Sequence, residues 1–313
     1  MAPGQLEHKD YLFLTVYSLT LLLGLPSNIL VLAAFVNKAR TEGTTPNVVY
    51  VINLCLANLV FVLWLPIKIV ETLKSWTLPA LLCPIYNFFH FSTIYASTLF
   101  LTSISVGRYL SIAFPISYKL YKKAKNSCFV CVFFWAIVIT HVALVLTVQE
   151  NDEDLFISSS ADNTSTCYNN FTKEQLDFLA PLRLEMAVVL FFIPLLVTSF
   201  CYFRCIALVV RSCLHTRRKR RVIRVAVSTL IVFVVCFAPY NFSHVVGFIR
   251  HENVEWRGEA LLTSTCNVFL EPIIMFFLSS STEHRLNHCC QLPRETFSET
   301  NCKAPPSHNK RQE

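Results

Sequence analysis

Residues 181–210 read PLRLEMAVVLFFIPLLVTSFCYFRCIALVV, with charge confined to Arg183, Glu185 and Arg204. A helix of this length rises about 45 Å, enough to cross a hydrocarbon core of about 30 Å. No open strand or loop can do the same, because backbone groups facing lipid must be satisfied within the segment. Working outward, six further apolar runs of comparable length stand at 11–36, 47–73, 81–107, 127–149, 222–249 and 258–280. The chain as a whole is 54% hydrophobic and 15% charged, a composition that excludes an ordinary soluble globular protein. The pattern predicts an all-α integral membrane protein, a bundle of seven transmembrane helices.

Orientation follows from the basic residues. The connection 109–126 carries Lys119, Lys122, Lys123 and Lys125 without an acid, and 211–224 carries Arg211, Arg217, Arg218, Lys219, Arg220, Arg221 and Arg224, also without one. Both are expected on the cytoplasmic side. The connection 150–180 holds Glu150, Asp152, Glu153, Asp154 and Asp162 with sequons at Asn163 and Asn170, and fits the outer face as a glycosylated loop. Residues 1–10 then form a short outer N-terminus, 11–281 the membrane domain, and 282–313 a cytoplasmic amphipathic segment and tail. Met1 to Asp10 lack a cleavable signal, so the first span is expected to be an uncleaved anchor. The net charge of +7 is a topology signal: a basic run such as Arg217 to Arg221 beside a span reads as a stop-transfer and lipid-headgroup feature, not a nucleic-acid surface. A third sequon, Asn241-Phe242-Ser243, lies within a span, where no transferase reaches it.

Thirteen cysteines divide by compartment. Cys83 and Cys167 fall on the outer side, where one disulfide between them is the economical expectation. Cys55, Cys201, Cys236 and Cys266 sit within spans as small packing residues. Cys289 and Cys290 fit either palmitoylated anchors of an inner-face helix or reduced cytosolic thiols. Arg183 and Arg257 each stand at the outer start of a span. Read from the residues alone, they fit either snorkelling toward headgroups or a shared anion site, and two planar forks near one cavity favour a carboxylate.

The landmarks Asn28 in Gly24-Leu25-Pro26-Ser27-Asn28, Cys83, Gly107-Arg108-Tyr109, Trp135, Pro194, Tyr202, Cys236-Phe237-Ala238-Pro239 and Pro272 give the chain a resemblance to rhodopsin-like G-protein-coupled receptors. It is more closely similar to the free fatty acid receptors, in particular the short-chain branch. The matching stretches are Thr166-Cys167-Tyr168, Leu176-Asp177, Pro181 to Glu185, Leu190 to Pro194, Pro239-Tyr240-Asn241, Ser243 to Gly247 and Trp256-Arg257. The resemblance implies a plasma-membrane receptor for small monocarboxylates such as acetate, propionate and butyrate. Arg183 and Arg257 would clamp the carboxylate, with His244, Tyr240, His141 and Tyr95 around it. Core histidines bonded for structure are the alternative reading of His141 and His244. The family pattern further implies Arg108, Tyr109, Tyr202, Phe237 and Pro239 as the switch toward a heterotrimeric G protein of the Gi/o or Gq class, with arrestin as a second partner.

The chain departs from the superfamily pattern at its signalling end. Asn58 replaces the second-span acid, Glu271 carries a carboxylate in the seventh span, Met275 replaces a tyrosine, and Gly107 stands where most relatives have an acid. No cofactor is expected except a sodium ion at Glu271, Asn58 and Ser97, the alternative being a neutral Glu271 bonded to Asn58. Competing classes fit less well. A transporter would show repeated halves or matched broken spans, and only six glycines are present without such symmetry. No His-Glu-x-x-His or Gly-x-Ser-x-Gly motif supports an enzyme. The seventh span has no lysine for retinal, and 84–107 lacks the arginine up to its end that the hydroxycarboxylic-acid receptors would place there.

Overall fold

The structure, a computed structural model, describes residues 8–74, 76–121, 124–147, 157–159, 165–167 and 171–278. The sequons at Asn163 and Asn170, the cysteines Cys289 and Cys290 and the segment 282–313 lie outside the described residues. Seven long helical segments are present among the described residues: His8–Glu42, Pro46–Lys74, Leu82–Ala113, Ala124–Thr147, Lys173–Arg211, Thr216–Arg250 and the pair Arg257–Thr265 and Asn267–Leu278. They are called the first to seventh spans below. Five of them are long and apolar enough to cross a membrane by length and composition alone. The third is more polar within, burying Asn87, His90, Ser92, Thr93, Ser97, Thr98 and Ser105 at the centre of the bundle, where it packs on the second, fourth, fifth and sixth. Large apolar side chains such as Leu22, Leu63, Val132, Leu196, Phe203 and Ile249 point outward. In water such a surface would aggregate; against acyl chains it is the expected lining.

Two prolines explain two of the inter-helix polar contacts. Proline has no N–H to give the carbonyl four residues back, so each one inside a span leaves an acceptor that lipid cannot satisfy. Pro272 frees the Val268 carbonyl, and Asn28 Nδ2 of the first span donates to it at 2.7 Å. Pro194 frees the Leu190 carbonyl, which accepts from Thr98 Oγ1 of the third span at 2.7 Å. Just before Pro194 the fifth span widens into a π turn, Val188–Phe192, and a second such turn, Thr20–Gly24, precedes Pro26. Asn28 also accepts from Asn58 Nδ2 at 3.1 Å, which links the first, second and seventh spans, and Trp135 Nε1 separately donates to Asn53 at 3.3 Å, joining the fourth span to the second.

Two features differ from the sequence reading. The fifth span begins at Lys173, eight residues ahead of the apolar run, because Thr172 and Gln175 form a capping box: Gln175 N donates to Thr172 Oγ1 at 3.3 Å and Thr172 N to Gln175 Oε1 at 2.9 Å. The chain is also not wholly helical. Ile157–Ser159 pairs antiparallel with Ser165–Cys167 in a short hairpin between the fourth and fifth spans. The hairpin is fastened to the bundle at Cys167, which is disulfide-bonded to Cys83 at the start of the third span and whose N–H donates to Glu71 Oε1 at 2.8 Å. Lys68 Nζ neutralises that carboxylate at 2.7 Å.

Candidate functional site

At the hairpin end of the bundle, the capping box sets the phase of the fifth span so that Leu176, Leu179, Ala180, Arg183, Met186 and Ala187 share its buried face. Arg183 is thus carried inward, 5% exposed, with its guanidinium 4.5 Å above the Phe171 ring. The Phe171 carbonyl accepts from Asn253 Nδ2 at 2.8 Å, tying that ring to the connection between the sixth and seventh spans. Arg257 opens the seventh span after the Trp256 cap, and its Nη2 lies 3.1 Å from the place a Cβ at Gly247 would occupy.

Gly247, His244 and Tyr240 lie on one inward face of the sixth span at spacings of three and four. The His244 Nε2 is 3.3 Å from the Tyr95 hydroxyl of the third span, and its ring meets Tyr240 edge-on at 4.5 Å. Tyr240 in turn stacks over Phe91 at 6.1 Å. His244 is 2% exposed, and its Nδ1 has no hydrogen-bond partner among the described residues. Arg257 is seated on Gly247, one turn from this imidazole, and Arg183 stands against Phe171, which is bonded to the connection that leads into Arg257. Arg183, Arg257, His244, Tyr240 and Tyr95 are therefore gathered at one place. Its chemistry is that of an anion receptor: two permanently charged forks, with an imidazole nitrogen and a phenol able to orient the second oxygen of a carboxylate.

His141 makes its contacts elsewhere. Its Nδ1 bonds the Ile137 carbonyl at 2.7 Å, and its Nε2 pairs with Glu185 Oε1 at 3.3 Å on a partly exposed seam between the fourth and fifth spans. Glu185 follows Arg183 by two positions, which turns it about 200° around the helix. Histidine in an apolar run was a weak signal, and Glu185 was its missing partner.

At the opposite end, Arg108 Nη1 donates to the Tyr202 hydroxyl at 3.2 Å, joining the third and fifth spans. Tyr109 packs edge-on against Phe114 and Phe200. Arg108 and Tyr202 line a crevice of about 460 Å³, with Asn47, Arg221 and Met275 also on its walls. Gly107 leaves room that the sequence concealed: a Cβ there would meet Asn47 Oδ1 of the second span, whose carboxamide would have to turn away. Phe237, buried, packs edge-on against Phe233 at 5.4 Å, two residues before Pro239 inside the sixth span.

Between the two ends, Glu271 and Asn58 are fully buried and Ser97 nearly so. Both carboxylate oxygens of Glu271, Asn58 Oδ1 and Ser97 Oγ lack a hydrogen-bond partner among the described residues. Such an oxygen-rich donor set suits a hard monovalent cation.

Residues 27–277 match the family described as 7 transmembrane receptor (rhodopsin family). The chain is 39% identical to Free fatty acid receptor 3 of Mus musculus over 272 residues, 86% of this chain and 84% of that one. It is 40% identical to Free fatty acid receptor 2 of Mus musculus over 272 residues, 86% and 82% of the two chains. It is 42% identical to G-protein coupled receptor 42 of Homo sapiens over 268 residues, 85% and 76% of the two chains. With the seven helices and the disulfide in place, these matches make the chain a member of the free fatty acid receptor family of rhodopsin-like G-protein-coupled receptors, a multi-pass plasma-membrane protein and not an enzyme.

Proposed function

We propose that the receptor is activated by short-chain monocarboxylates such as acetate, propionate and butyrate, held by Arg183 and Arg257 at the hairpin end. That end faces outward on this reading, with the N-terminus outside and residues 282–313 inside. The carrying observation is that Arg257, seated on Gly247, and Arg183, stacked on a Phe171 that is bonded to Asn253, stand at the same end of the bundle as buried His244. Beneath the imidazole, Tyr95, Tyr240 and Phe91 are already in contact, which supports a ligand with a short tail.

The carboxylate bridges the fifth and seventh spans and favours one arrangement of their outer ends. The sixth span, carrying His244 and hinged at Pro239, then shifts its inner end relative to Arg108 and Tyr202. The crevice beside those two residues receives the G-protein tail, of the Gi/o or Gq class, and arrestin takes the same face. The basic run Arg217 to Arg221 lies against anionic lipid. Glu271, Asn58 and Ser97 hold sodium in the unstimulated state. A ligand of about five heavy atoms, at a ceiling of ~1.5 kcal/mol per atom, binds with at most ~7 kcal/mol, so potency is micromolar or weaker. A G-protein readout across acetate, propionate, butyrate and laurate tests this reading. Responses to the three short acids are expected, and a response to laurate alone transfers the site to longer fatty acids.

A further inference from the structure

We infer that Gly247 is a size-determining positioning residue: its bare backbone seats the Arg257 guanidinium against the sixth span and so sets the separation between the two arginines. The inference rests on the carboxylate-clamp reading of Arg183 and Arg257. Arg257 Nη2 lies 3.1 Å from the site of an absent Cβ, closer than side chains ordinarily approach one, with Val254 Cγ2 at 3.4 Å and the Glu252 carbonyl at 3.7 Å behind it. Those two residues belong to the connection between the sixth and seventh spans, so the chain folds back over Gly247 and delivers Arg257 onto it. Gly247 is buried on the same face as His244, one turn away, and that face looks into the bundle. A methyl group at 247 therefore displaces the guanidinium off the sixth span and into the bundle by a few tenths of an ångström.

The opposite arm does not follow. Arg183 stands on the fifth span and is stacked on Phe171. A shift of Arg257 by a few tenths of an ångström consequently narrows the opening instead of translating the whole site. Glycine at this position gives the widest opening this backbone allows. The displaced guanidinium takes up space beside His244, one turn away, which the carbons behind the carboxylate need, so the loss grows with the ligand tail.

The test is Gly247→Ala in the full-length receptor, with dose-responses to acetate, butyrate and hexanoate at matched surface expression. Acetate potency is expected to fall about threefold and that of hexanoate at least about tenfold further, the range that a methylene costs in a filled pocket. Equal losses for all three acids, or no loss, overturn the inference, since general damage has no reason to follow chain length. Should Gly247→Ala stay inside the cell, Gly247→Ala with Val254→Ala, which removes the second neighbour of the new methyl, is expected to reach the surface and keep the altered chain-length profile. Failure of both variants to reach the surface also overturns it, making the glycine a folding requirement. Arg257→Ala, measured in parallel, separates the two levels: an undiminished response there removes the clamp itself.

Discussion

Arg183 is the residue whose loss can be worked through most fully. Truncation to alanine removes a guanidinium that is 5% exposed and stacked 4.5 Å from the Phe171 ring. Losing one partner of a buried charge pair costs about 2–5 kcal/mol, or roughly 30-fold to 5,000-fold in affinity. The whole binding energy of a five-atom ligand is at most ~7 kcal/mol, so an acid acting near ~0.1 mM in the wild type moves to at least ~3 mM in Arg183→Ala, and the response is lost from any usable concentration range. Arg183→Lys keeps the charge but loses the fork and the stacking, and is expected to fall between, about tenfold weaker than wild type. Phe171 remains held through Asn253 in both variants, so delivery to the surface is expected to be unchanged. The assay is a G-protein activation dose-response for propionate, with surface receptor quantified by an epitope tag. A wild-type curve for Arg183→Ala, or a Lys variant weaker than the Ala variant, refutes the reasoning.

Two further outcomes are expected. Because Gly107, not an acid, precedes Arg108 and the facing run Arg217 to Arg224 carries only bases, basal signalling should be appreciable and an aspartate at 107 should lower it; the Asn47 oxygen against the new Cβ means that Gly107→Asp alone mixes charge with crowding. The informative comparison is Gly107→Asp with Asn47→Ala against Asn47→Ala alone, read as ligand-free output at matched expression, and equal outputs count against a role for the missing acid. Sodium is expected to lower agonist potency, and Glu271→Gln, which keeps the shape and removes the charge, to erase the effect. Replacing sodium by a bulky organic cation at constant ionic strength checks this, and identical sodium sensitivity in both receptors excludes Glu271 as a ligand.

The seven spans were legible because lipid imposes length and apolarity, and both arginines because a charge inside such a run has few explanations. The disulfide was legible from compartment alone. Other features depend on residues far apart in sequence. Asn47 fills the space at Gly107 from sixty positions away, and Asn253 reaches Phe171 across eighty-two. Pro194 and Pro272 announce that carbonyls are freed, but which side chain answers them is decided by packing. Two signals were local and readable. Thr172-x-x-Gln175 has the capping-box spacing that starts the fifth span early, and Gly247, one turn beyond His244, marks a close approach. His141 was placed in the pocket by likeness to a family pattern, and its contact with exposed Glu185 is a matter of which side of the fourth span it occupies.

The wide turn at Val188–Phe192 has a consequence for angular phase. Arg183 and Tyr202, both buried, are nineteen residues apart, and an unbroken α-helix would set them about 100° out of alignment around the axis. Absorbing one residue in the wide turn leaves about eighteen, five whole revolutions, so the anion-binding arginine and the tyrosine that holds Arg108 point the same way. Deleting one residue within the wide turn would close it to a regular α-helix and keep both groups aligned, whereas inserting one would swing an inward-facing group toward lipid while leaving composition and hydropathy almost untouched. The register of this span therefore tolerates a one-residue deletion at the wide turn but not an insertion, a constraint that substitutions do not face.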